Sequence, residues 1–170
     1  DALESFDHAI AINPAYAKAH SNRGNVLKDL NLLNDALESY DKAISFMPNY
    51  ANAHSNRGDV LKELNQGEAA IKSYEQAIIL NPDIEFILGE LFKAKMSLCS
   101  WSGLADRIEE IKTKVNNNEK ASGPFSLLSI IDDPELQRKS AKIYVNAKYP
   151  KNNVLPKIKH QAKNSKIQIG

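Results

Sequence analysis

The pentapeptide HSNRG stands at residues 20–24 and returns at 54–58, so His20 and His54, and Asn22 and Asn56, recur at a spacing of 34 residues. Histidines in register suggest metal binding. Neither has a second ligand four residues on and no cysteine lies near, so packing or hydrogen-bonding histidines are expected, and no metal. The asparagines offer other chemistry. A side-chain amide both donates and accepts, so a row of amides can pair with the main chain of an extended peptide whatever its side chains. The competing expectation is that Asn22 and Asn56 satisfy one another, nearby backbone or water. No Ser/His/Asp set, acid pair or phosphate loop stands out, and no catalytic residue is assigned.

The spacing of 34 extends well beyond the pentapeptide. It pairs Phe6 with Tyr40 and Tyr74, Ala9 with Ala43 and Ala77, and Pro14 with Pro48 and Pro82; it also pairs Gly24 with Gly58, Leu27 with Leu61 and Ala36 with Ala70. Each unit reads as two helices, about 17–30 then 35–46, and again about 51–64 then 68–80. Gly24 and Ala43 leave room for close helix approach, and Pro48 stops the second helix. Period, small and aromatic positions and closing proline together resemble the tetratricopeptide repeat, which implies an all-α, right-handed superhelix (an α-solenoid) followed by a helical connector. His20 and His54 stand where that family usually has an aromatic residue. Arg23 and Arg57 stand where it has leucine, with stems expected to pack and heads to reach water.

In such an array the first helix of each unit lines the concave face. Ser21, Asn22, Asn25, Lys28 and Asp29, with their copies Ser55, Asn56, Asp59, Lys62 and Glu63, are therefore expected to face a peptide-binding groove. Residues 1–82 are read as the repeats: 1–16 as the second helix of a truncated unit, then full units 17–50 and 51–84. Residues 85–116 are a degenerate capping unit, with Phe92 where glycine is expected and helices at about 86–98 and 104–115. Cys99 is expected to be a buried small apolar residue. Residues 117–165 form a connector: a polar linker (VNNNEKASGP), a short apolar segment, a helix capped by Asp132 or Asp133 with an apolar stripe of Leu136, Ile143 and Tyr144, and a basic extended tail. Residues 166–170, KIQIG, alternate like the first strand of a further domain.

From Leu88 onward, LGELFKAKMSLCSWSGL, GPFSLLSIIDDPELQ, SAKIYVNAKYP and KIQIG follow in an order similar to the connector of the O-linked N-acetylglucosamine transferase and SPINDLY-like glycosyltransferases, the bacterial branch above all. Cys99, Trp101, Ser102, Pro124, Phe125, Leu128, Pro134, Leu136 and Gln137 carry the match, and Ser100 replaces the family's aspartate. The resemblance implies a nucleotide-sugar donor (UDP-GlcNAc or similar) used by a C-terminal domain absent from this chain, which alone would be inert. Extended segments of acceptor proteins would be the partners, held by an asparagine ladder that falls on Asn22 and Asn56 and ends at Glu90. The alternative is a stand-alone scaffold for protein–protein interaction. Self-association through the repeats is a further expected partner class.

Charge and composition narrow the remaining classes. Residues 1–135 hold 13 basic and 21 acidic residues, a net of −8, whereas residues 136–170 hold nine basic and none acidic. The only aromatic residues in that basic region are Tyr144 and Tyr149, without a recognition motif, so no nucleic-acid partner is expected. No stretch approaches the ~20 apolar residues of a membrane span, and the acidic opening DALESFDHAI is unlike a signal peptide. One cysteine fits a cytoplasmic setting.

Overall fold

A computed structural model describes residues 2–150. Its helices are α1 (Ala2–Ile12), α2 (Ala17–Asp29), α3 (Leu33–Phe46), α4 (Ala51–Glu63), α5 (Gly67–Leu80), α6 (Ile87–Ser97), α7 (Leu104–Asn116), α8 (Pro124–Leu128) and α9 (Pro134–Lys148). No strand occurs among the described residues, and they form an all-α solenoid. The expected tail and terminal strand, residues 151–170, lie outside the described residues.

Local signals set the helix ends. Pro14, Pro48 and Pro82 follow α1, α3 and α5 by two residues, and the residue before a proline is driven out of the helical region: Met47 has φ −139° and Asn81 φ −152°. At the other turn of each unit, Asn31 (φ 60°) and Asn65 (φ 59°) take the left-handed conformation. Leu32 N–H donates to Leu27 C=O and Asn31 N–H to Lys28 C=O, and the same pair of bonds returns at Gln66 and Asn65. This is the Schellman closure, in which asparagine tolerates the positive φ.

Packing within a unit depends on small residues. Ala36, Tyr40 and Ala43 on α3 are fully buried, as are Ala70, Tyr74 and Ala77 on α5. A Cβ on Gly24 would stand 2.7 Å from the Tyr40 ring, and one on Gly58 2.7 Å from the Tyr74 ring. Each tyrosine lies where its partner helix has no side chain, and the pair closes. In the third unit Phe92, Leu104 and Ile111 occupy the register of Gly58, Ala70 and Ala77. Bulk at all of these places leaves α6 and α7 in looser contact than the helices of the regular units, and α7 packs on α9 as well.

The segment after α7 differs from the polar linker expected. Ala121 and Ser122 are buried, and the chain threads past the start of α6: Phe86 N–H donates to Lys120 C=O and Gly89 N–H to Ala121 C=O at 3.2 Å. A Cβ on Gly89 would lie 2.6 Å from the Ser122 hydroxyl, and Ser140 on α9 donates to Ser122 C=O at 2.8 Å. Main-chain pairing therefore fills the place that a close helix partner takes in the regular units. Asp133 caps α9, accepting from Glu135 N–H and Leu136 N–H, with Pro134 in the first turn.

Cys99 is exposed, contrary to expectation. It has φ 52°; its N–H donates to Met96 C=O, and Ser100 N–H donates to Lys95 C=O. It stands 34 residues after Asn65 and performs the same turn, a position that points to solvent.

Candidate functional site

The polar faces of α2, α4 and α6 meet side by side. Asn56 Nδ2 on α4 donates to Asn25 Oδ1 on α2 at 2.8 Å, and that oxygen also accepts from the Tyr40 hydroxyl at 2.7 Å. Asp59, one unit after Asn25, accepts from the Tyr74 hydroxyl at 2.8 Å and faces Lys28 Nζ at 3.8 Å. Lys62 reaches Glu90 on α6 at 2.5 Å, and Lys93 reaches the other oxygen of Glu90 at 2.7 Å. Each contact except that of Lys93 runs across neighbouring helices or between the helices of one unit, so the face is held rigidly by its own side chains.

The tyrosines are the residues that sequence reasoning treated only as packing. Their rings fill the space over Gly24 and Gly58, and their hydroxyls orient Asn25 and Asp59. Burial, reinforced by Asp59 and further carboxylates nearby, pushes both hydroxyls well above the usual phenol range. Both therefore remain donors. The signal was present: Tyr40 and Tyr74 each lie 15 residues after a residue that can accept, Asn25 or Asp59.

Asn22 is exposed, with no side-chain hydrogen bond among the described residues, whereas Asn56 is half-buried with its Nδ2 committed to Asn25. Asn56 spends one N–H on Asn25 and keeps its oxygen and its second N–H. Ser21 is only 2% exposed and Ser55 half-buried. They share the register of buried Gly89, so Ser21 is a packing residue and is not open to a ligand. Lys28 and Lys62 are both drawn to carboxylates, Asp59 and Glu90. Burial opposes the charge of Glu90, yet the hydrogen bonds from Lys62 and Lys93 hold its carboxyl below the usual range.

The histidines and arginines hold the units together. His20 Nε2 lies 2.8 Å from Pro14 C=O and His54 Nε2 lies 2.9 Å from Pro48 C=O, each a donor to the carbonyl that ends the preceding unit. His20 also stacks on Phe46 at 5.5 Å. Arg23 was expected to send its head to water. Instead its Nε donates to Asp7 at 2.6 Å and its Nη1 to Ser39 at 2.8 Å, and Arg57 repeats this with Asp41 and Ser73 at the same distances. An acid on the preceding helix and a buried serine on the following one offer the guanidinium better partners than solvent does. No group of three metal-ligating side chains occurs among the described residues.

Residues 24–65 match a family model described as TPR repeat, and residues 51–84 one described as Tetratricopeptide repeat. The curated proteins give no match. Among solved structures, the crystal structure of MamA protein is 19% identical, covers 91% of this chain and 87% of its own, and has a TM-score of 0.61. YrrB, described as a TPR protein with an unusual peptide-binding site, is 20% identical over 86% of this chain and 68% of its own, with a TM-score of 0.59. The first TPR of Spaghetti (RPAP3), bound to the HSP90 peptide SRMEEVD, is 24% identical over 58% of this chain and 78% of its own, with a TM-score of 0.56. Likeness at these identities concerns the fold alone. This chain carries tetratricopeptide repeats in an all-α solenoid, and no described helix is long and apolar enough to cross a membrane.

Proposed function

We propose that the polar face of α2, α4 and α6 holds an extended segment of a partner protein through its main chain. One observation carries the reading: Asn22 and Asn56 stand one period apart on α2 and α4, whose polar faces meet side by side, and Asn25 orients the Asn56 amide. Peptide-bound and peptide-binding descriptions of similarly folded solenoids support it. The test is a fluorescence titration with an extended Ser/Thr-rich peptide. Replacing both asparagines (Asn22→Ala with Asn56→Ala) weakens binding about tenfold, since each net hydrogen bond contributes ~0.5–1.5 kcal/mol, and leaves helical content intact. Unchanged affinity contradicts the reading.

The finer reading is that this module serves acceptor segments to a nucleotide-sugar-dependent protein O-glycosyltransferase domain. The ordered connector motifs around Cys99, Trp101, Pro124, Phe125 and Gln137 support it. The intact mass and peptide map of the native gene product test it. Continuation past Gly170 into a nucleotide-sugar-binding domain is the expected result; a native chain ending near Gly170 leaves a stand-alone scaffold.

A further inference from the structure

The cations on the binding face are already occupied. Lys28 faces Asp59, while Lys62 and Lys93 share Glu90; the side chains of Lys28, Asp59, Lys62 and Glu90 are between 26% and 34% exposed. Asp29 and Glu63, both exposed, take no ion pair among the described residues. Each ammonium group of the face therefore lies against a carboxylate, while two of its carboxylates, Asp29 and Glu63, have no cation beside them among the described residues. Asp29, Asp59, Glu63 and Glu90 also act together on the two tyrosines, whose hydroxyls resist ionisation in part for that reason.

We propose that this face selects its extended ligand by charge, admitting neutral or Lys/Arg-bearing segments and rejecting carboxylate-rich ones, with Asp59 and Glu90 setting the selection by engaging Lys28 and Lys62. The inference rests on the peptide-binding reading above. A carboxylate entering the face has to displace Asp59 or Glu90 from its lysine, and meets Asp29 and Glu63 besides. A ligand cation meets those two acids unopposed. Half-buried pairs are screened less than surface charges, so the preference persists at ordinary salt and shrinks as salt is raised.

The experiment uses the full chain and peptides of one length and one Ser/Thr background, carrying spaced Lys, Asn or Asp. Binding is read from amide shifts of the protein. The expected order is Lys, then Asn, then Asp, with about a fivefold step between the first and last at low salt. In the Asp59→Asn, Glu90→Gln variant the lysines are released, and the Asp-to-Asn affinity ratio rises by about the same factor. Equal affinity for all the peptides, or tighter binding of the Asp peptide to the unaltered chain, overturns the charge selection and leaves the peptide-binding reading standing. Absence of binding by every peptide overturns both.

Discussion

The two regular units and the third unit share one period and differ in what fills it. In units 17–50 and 51–84, glycine on the first helix and alanines on the second bring the helices close around a tyrosine; in 85–116, Phe92, Leu104 and Ile111 hold them apart. The close units repeat their polar groups in register, from Asn25 to Asp59 and from Lys28 to Lys62, and bond them across helices. The third unit turns its buried face to α8, α9 and the segment around Ser122, and ends the array. Helix separation, set by a few small side chains, thus distinguishes the part of the solenoid that repeats its polar face from the part that does not.

The sharpest break of that comparison is at the tyrosines. Tyr74→Ala empties a fully buried site and costs about 3–5 kcal/mol, whereas Ile108→Ala, at the matching half-buried place, costs about 1–2 kcal/mol, both read by urea unfolding. Next comes close approach itself. Gly58→Ala sets a Cβ 2.7 Å from the Tyr74 ring and costs about 1–3 kcal/mol in the same measurement. A neutral outcome would mean that the ring shifts freely and does not set the helix spacing.

A smaller effect joins the second unit to the third. With its carboxyl held below the usual range, Glu90 adds stability that is complete above its unfolded-state value and is lost as pH falls through the depressed folded one. Unfolding followed from neutral pH into the acid range shows that loss, and Glu90→Gln removes its share of the acid slope. The smallest effect lies at the turn after α6. Cys99→Asn places there the residue type found at Asn31 and Asn65, and raises stability by about 0.5 kcal/mol in thermal unfolding. A loss of stability would contradict the shared turn geometry.

Much of this was legible in the sequence, and the exceptions share a cause. The helices of the regular units and their proline stops follow from a period of 34 with small and aromatic places repeated. The roles of Arg23 and Arg57 were missed because their partners, Asp7 with Ser39 and Asp41 with Ser73, each lie 16 residues away, on other helices. Exposure of Cys99 was missed because residue type suggested burial while register, one period after Asn65, required a solvent-facing turn. The linker was misjudged because Lys120 and Ala121 pair through the main chain, which side-chain patterns do not report. At the site, Asn22 and Asn56 shared a register, but the bond that orients the Asn56 amide comes from Asn25, an acceptor reached across helices.

The most direct test of the account is to map where an extended Ser/Thr-rich peptide lands, by amide shifts across the full chain. The shifts are expected to centre on α2 and α4, the side-chain amides of Asn22 and Asn56 among them, and to fade beyond Glu90. Shifts centred on α7 to α9, with α2 and α4 unmoved, would contradict it.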